Sequence, residues 1–402
     1  MSVSKEKLIK KVDSISQELL ELSHFIYSNP ELGLKEYKAC EAICSLLEEK
    51  GFEVKRNVGG LETAFSVTVC GNGVGPHVAI CAEYDALAGI GHGCGHNIIA
   101  TCGVGAFIAL SEQMDSLPGK LSLIGTPAEE SVGGKLILLR EHVFDDIDFA
   151  MMIHPTAGKS MIARGARTSG RLRVRFNGKA AHSSAPEKGI NALNCAVAFY
   201  NGIDSLRQTF QRGDNINVII IEGGTASNII PHTALLEVNF RTEKYYRLSE
   251  LMKRVCLIAD GAAAMYGATV EKNVGKLSYE RYPNMPLSES FKRNMESLGE
   301  KIEIADNTKY YGSSDMNDVS IVMPMIHDYI CIADDNIVGH TPEFRDAAGS
   351  RRGDDVCLIG AKALAMTAME VLQDTTLQKE AYDYYWNVVP DDYPQKRKRK
   401  NT

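Results

Sequence analysis

The stretch EYDALAGIGHGCGHN places Glu83, Asp85, His92, Cys94, His96 and Asn97 close together. A thiolate, imidazoles and carboxylates at that spacing suit zinc, manganese or a similar divalent ion, and the interleaved glycines let the backbone fold tightly around close ligands. GTPAEE adds the adjacent pair Glu129 and Glu130. Neighbouring carboxylates can divide metalloenzyme work, one binding an ion while the other moves the proton of a water. His154-Pro155 and Gly339-His340-Thr341 complete the set. Singly, each has an ordinary reading: His-Pro is usually a turn, Glu-Glu a solvated helix face, and a Cys between glycines a small residue in a tight place. Their shared position just after successive strands gives them weight, because open α/β sheets bind ligands beyond the carboxyl ends of their strands.

Those strands come from a clear alternation. Leu8, Val12, Ile15, Leu19, Leu22 and Ile26 make one apolar helical stripe ended by Asn29-Pro30, and a second helix covers roughly 36–50. His77–Ala82 reads as a buried strand, followed by a helix over 98–110, a strand over 121–126, a helix over 134–141 and a strand over 148–153. This predicts an α/β fold with a mostly parallel sheet. From about Gly170 the order becomes β-α-β-β-α-β, which predicts an inserted α+β (ferredoxin-like) sandwich. The α/β rhythm resumes with strands near Ile302 and Tyr329 and a final helix over 354–373. The expected organisation is a catalytic domain in two parts, 1–169 and 283–402, interrupted by a lid over 170–282. The basic tail Lys396, Arg397, Lys398, Arg399, Lys400 reads as a solvated end.

With 402 residues the chain is long enough for two domains. A net charge of −7 offers no broad positive field, so neither nucleic acid nor an anionic membrane is an expected partner. The start MSVSKEKLIKKV lacks an apolar signal-like run, and no stretch has bilayer-spanning character. Ten scattered cysteines without a CxxC pair point to a reducing, cytoplasmic location.

The ordered series EYDAL, GHGCGHN, GTPAEE, IHP, AHSSAPEKGINAL, SNIIP, FRTE, GSSDMNDVS and GHTPEF resembles the aminoacylase-type co-catalytic metallopeptidase family over nearly the whole chain. It is most similar to the amidohydrolase branch holding p-aminobenzoyl-glutamate hydrolase, β-alanyl-lysine dipeptidase-like and auxin-conjugate hydrolase proteins. The resemblance implies two divalent metal ions (zinc or manganese, with cobalt a further candidate) and a dimerising lid. By motif position Cys94 would bridge the ions, with His96, Glu130, His154 and His340 as the other ligands, and Glu129 would be the general base. Asp85 would orient a ligand, with His92 also outside the ligand set. His182 would reach the active site of the partner chain in a homodimer; Asn228 and Arg241 would hold a substrate carboxylate, and Gly312 and Ser313 would add donors. Arg241 reads equally well as a structural ion pair, and Asp315 as a loop cap.

The implied reaction is hydrolysis of the amide bond in an N-acyl amino acid or dipeptide with a free α-carboxylate. Two positions depart from the branch: Ala88 replaces a common proline and Asn97 a common aspartate, which puts the metal and the substrate in question rather than the reaction. Two other readings stay open. Cys94 could be the nucleophile of a thiol amidase, which leaves Glu129, Glu130, His154 and His340 without roles. The chain could also be a non-catalytic subunit of a hetero-oligomeric amidohydrolase, although no ligand or base of the pattern is missing.

Overall fold

The computed structural model describes residues 3–309 and 312–397. The chain divides into two compact units. One holds the chain up to Gly165, Tyr282–Lys309 and the chain from Ser314 on; the other holds Ala166–Arg281 and a short segment ending at Ser313. Among the described residues the strands are β1 (Lys55–Arg56), β2 (Phe65–Cys70), β3 (His77–Ala82), β4 (Lys120–Gly125), β5 (Phe149–Ala157), β6 (Met161–Ile162), β7 (Thr168–Asn177), β8 (Asn215–Glu222), β9 (Thr233–Thr242), β10 (Thr269–Ser278), β11 (Glu303–Ile304) and β12 (Met325–Ala333).

In the first unit the sheet order is β1-β2-β4-β3-β5-β12-β6-β11. The β4-β3-β5-β12 centre is parallel, β2 joins it antiparallel and β1 pairs antiparallel with β2, which confirms the predicted α/β class. Every residue of β3 is buried because both faces are covered. Val78, Ile80 and Ala82 enter one hydrophobic cluster and Ala79 and Cys81 the opposite one, the period-two alternation of a strand. Helix His96–Ser111 is buried from residue 96 to 110, packed on β3, β4 and β5 and against helix Arg351–Gln373. It therefore forms a rigid post directly behind the HGCGH motif.

The first apolar stripe is carried by two helices, Lys5–Ser14 and Ser16–Ser28, broken at Ile15 (φ −110°, ψ 12°). There the Ser14 hydroxyl bonds the Lys11 carbonyl at 2.7 Å, a local bond of the kind that competes with helix continuation. The last long helix, Arg351–Gln373, is not the end of the fold: Asp374 stops it and caps a further helix, Thr375–Val388, through bonds from Thr376 N and Leu377 N. The basic tail also differs from expectation. The Lys396 ammonium donates to the Val389 and Trp386 carbonyls and to Asp391, and Arg397 donates to the Ile147 and Phe144 carbonyls, so main-chain carbonyls hold both. Lys398, Arg399 and Lys400 lie outside the described residues.

The second unit is an antiparallel sheet in the order β10-β7-β9-β8 with helices Ala192–Leu206 and Tyr245–Tyr266. On β7, Leu172, Val174 and Phe176 are buried while Arg171, Arg173 and Arg175 point away, as the alternation RLRVRFN requires. Strand β8 is an edge and leaves Ile219, Ile220 and Ile221 about half exposed. Among the described residues no helix is long and apolar enough to cross a membrane.

Candidate metal centre

Strand β3 ends at Ala82, and the chain turns back through Gly95 (φ +77°) into helix His96–Ser111. A side chain at Gly95 would be both strained and crowded, since a Cβ there would lie 2.8 Å from Pro155 Cγ. This close approach brings Cys94 Sγ to 3.4 Å from His154 Nε2. His154 is not beyond its strand, as the sequence suggested, but within β5, paired with Tyr329 of β12. On the other side β3 pairs only as far as Met151, so His154 still stands past the end of β3.

Asp85 organises the next two groups. Its Oδ1 lies 3.0 Å from His96 Nδ1, and its Oδ2 accepts the Glu130 N–H at 2.9 Å. His96 Nε2 and Glu130 Oε1 are thereby aimed at one space, 3.8 Å apart, and both are buried without a hydrogen-bond partner. Glu130 Oε1 also lies 3.5 Å from His340 Nε2. His340 has φ +67° and donates its N–H to the Gly93 carbonyl at 2.9 Å, which ties the late loop to the early motif. Ala128 is another left-handed residue (φ +62°), and Glu36 Oε1 accepts its N–H at 2.7 Å. Non-glycine residues in that region cost about 1–3 kcal/mol and persist where surroundings over-determine them.

Among the described residues three groups of three donors have their ligand atoms within 4.8 Å of one another, and two of them share Cys94: Cys94 with His96 and His154, and Cys94 with Glu130 and His340. The orphaned His96 Nε2 and Glu130 Oε1 and the mixed S/N/O chemistry fit divalent cations. Burial and the neighbouring Glu130 push the Cys94 thiol well above its usual range. Burial works against protonated His96, yet Asp85 and Cys94 hold its pKa well above normal. For Asp85 burial opposes ionisation, but His96 and the Glu130 amide bring the carboxyl below its usual range.

Glu129 adjoins this space, grouped with His96 and Glu130, and its Oε1 accepts the Asp315 N–H at 3.3 Å. His92 faces away from the ligand atoms: its Nε2 bonds the Ile26 carbonyl at 3.0 Å, and burial lowers its pKa to about 4. Asn97 donates to Ser23 Oγ and to the Ala348 carbonyl at 3.0 and 3.2 Å, so this position uses an amide donor that aspartate lacks.

Within the second unit His182 and Asn228 come together: His182 bridges to Ile229, and Ser183 N donates to the Asn228 carbonyl at 3.0 Å. Ser184 N donates to His182 Nδ1 at 3.1 Å, which leaves the ring proton of the neutral imidazole on Nε2. Arg241 lies near the far end of β9, eight residues past Thr233, or roughly 26 Å at about 3.3 Å per residue. The guanidinium has no ion pair among the described residues; burial, then Arg167, lower its pKa. Gly312 is exposed and Ser313 half-buried. Asp315 does more than cap a loop, since its carboxylate takes both the backbone N–H and the ammonium of Lys135. Neither Glu36 nor Lys135 stood out in the sequence; the available signal for Lys135 was a lone cation in the apolar run GGKLILL.

Residues 164–264 match the peptidase dimerisation domain of the M20 type. The chain is 34% identical over 389 residues to the Xaa-Arg dipeptidase of Mus musculus, covering 92% of this chain and 90% of that protein. It is 30% identical to one of the p-aminobenzoyl-glutamate hydrolase subunits of Escherichia coli, over 72% of this chain and 64% of that one. Its fold is similar to a dinuclear metal-binding peptidase of the M20 family from Bacillus subtilis, with a TM-score of 0.68 and 22% identity over 89% of this chain and 99% of that one. By its likeness across nine-tenths of its length, the chain belongs to the M20 family of metallopeptidases and is a metal-dependent hydrolase of amide bonds.

Proposed function

We propose that the chain cleaves dipeptides or N-acyl amino acids with a free α-carboxylate, using two divalent cations and Glu129 as general base. The observation that carries this reading is the pair of donor groups sharing Cys94. Cys94, His96 and His154 would hold one ion, and Cys94, Glu130 and His340 the other. Thiolate and imidazole favour zinc, and the mixed set also accepts manganese or cobalt. Bound there, the ions would polarise the scissile carbonyl and acidify a water. Glu129, oriented by the Asp315 N–H, takes that water's proton and returns it to the leaving nitrogen. Asp85 holds His96 and Glu130 in register from behind.

The lid residues complete the reading through a homodimer. His182 Nε2–H is a ready donor to the developing oxyanion, and Asn228 accompanies it. Arg241, a half-buried cation with no acid partner among the described residues, suits the substrate carboxylate. Because these groups lie at opposite ends of one lid, each active site takes Arg241 from one chain and His182 with Asn228 from the other. The half-exposed isoleucines on edge strand β8 suit the lid-to-lid contact. All ten cysteines are free, consistent with a reducing compartment. The likeness to Xaa-Arg dipeptidase makes dipeptides ending in arginine the first substrates to try.

A thiol-nucleophile mechanism is disfavoured, because it leaves Glu129, Glu130, His154 and His340, which gather around Cys94, without roles. The test is hydrolysis by chelator-stripped protein, before and after zinc or manganese, on dipeptides and N-acetyl amino acids with free or amidated carboxyl ends. Metal-restored cleavage confined to free carboxylates is expected. Activity that survives chelation would overturn the reading.

A further inference from the structure

Lys135, the second residue of helix Gly134–Arg140, is fully buried. A lysine in that position is costly unless it is paired and hydrogen-bonded. Its ammonium contacts Glu83 and lies 2.8 Å from Asp315 Oδ1, while its backbone N–H donates to Asp315 Oδ2 at 2.9 Å. Both oxygens of Asp315 are therefore held by this one residue. Burial alone would neutralise the amine, but Asp315 and Glu83 raise its pKa, so it stays charged. Asp315 in turn begins helix Met316–Val322 and donates its own N–H to Glu129 Oε1 at 3.3 Å. A continuous path runs from the ammonium, through a carboxylate and its backbone amide, to the carboxylate that moves the proton.

We infer that Lys135 is a positioning residue for amide hydrolysis, which fixes the Glu129 carboxylate by clamping Asp315. The inference rests on Glu129 being the general base. Lys135 is fully buried and hydrogen-bonds none of the five metal donors; it sets the place of an N–H that orients the base. Glu83 anchors the other side of the ammonium, so the clamp is tied to the end of β3. A purely structural pin between helix Gly134–Arg140 and the Asp315 turn would use the same contacts, and the two roles differ in whether the effect passes through Glu129.

The experiment compares wild type, Lys135→Met, Glu129→Gln and the double variant as metal-loaded full-length protein. The probe is the fastest-cleaved member of the dipeptide and N-acetyl amino acid panel. Lys135→Met is expected to lower kcat by about ten- to a hundredfold, with KM within about threefold and metal content unchanged. Added to Glu129→Gln, the same change should alter kcat less than about twofold, because its route of action is gone. A multiplicative loss in that background, loss of metal, or a kcat near wild type in the single variant would overturn the inference. If Lys135→Met leaves too much unpaired buried charge to fold, Asp315→Asn with Lys135→Met removes that excess while sparing Glu83, which lies 3.4 Å from His96 Nε2, and the same outcomes apply. Near-normal turnover by Glu129→Gln alone would remove the base assignment instead; a Lys135→Met loss that persisted there would mark a structural pin.

Discussion

Replacing Asp85 with asparagine keeps the shape of the side chain and removes one of its two acceptors. Asp85 Oδ1 serves His96 Nδ1 at 3.0 Å and Oδ2 serves the Glu130 N–H at 2.9 Å. An asparagine can accept from only one of these donors and turns its NH2 on the other, so one buried donor loses its partner whichever way the amide is flipped. That costs about 1–3 kcal/mol, and the bond that remains loses its charge assistance. Much of the penalty should fall on metal binding, because the affected groups carry His96 and Glu130, one donor from each cation group. A loss of about ten- to a hundredfold in affinity, about 1.4–2.8 kcal/mol, is the expected scale. The assay is competition for zinc against a chromogenic chelator, followed by turnover at rising metal concentration. Activity should return largely at high metal. An affinity within twofold of wild type would show that Asp85 does not hold the ligand set, and the reasoning would fail.

Other outcomes follow from the same geometry. Asn97→Asp sets a carboxylate against the Ala348 carbonyl in place of a donated bond, so thermal unfolding should show a loss of about 1–3 kcal/mol; unchanged stability would refute the donor requirement. His77, far from the metal ligands at the start of β3, has its pKa lowered mainly by burial, against Asp146. A lowered folded pKa means that stability is full above the unfolded value, about 6.5, and falls as acid protonates the unfolded chain first. The stability advantage of wild type over His77→Gln should therefore shrink below about pH 6.5, and a gap that widened in acid would contradict this. Mixed dimers of His182→Ala and Glu129→Gln should recover part of wild-type activity, since one of their two sites is intact; silence in proven mixed dimers would remove the shared-site arrangement.

What the sequence made legible was governed by periodicity and by local motifs. The buried run HVAICA and the alternation RLRVRFN identified β3 and β7 because their side chains obey a period of two. The candidate donors that the structure gathers, Cys94, His96, Glu129, Glu130, His154 and His340, could be picked out because they occupy recognisable short motifs. Glu36, Lys135 and the true part played by Asp315 were not, since their meaning depends on contacts between residues 36 and 128 or 135 and 315. The break at Ile15 and the helix after Asp374 turn on local side-chain hydrogen bonds at helix ends, which an apolar stripe does not register. The anchoring of Lys396 and Arg397 was hidden in the same way, because charged runs are usually solvated and only the fold supplies the waiting carbonyls.

The central claim is that the cations are held without Glu129 and that Glu129 moves the proton. The most direct measurement is metal content and turnover of Glu129→Gln beside wild type, each reconstituted with zinc or manganese. Two bound ions per chain in both proteins, with kcat lower by at least about a hundredfold in the variant, is the predicted result. Near-normal turnover with both ions in place would contradict it.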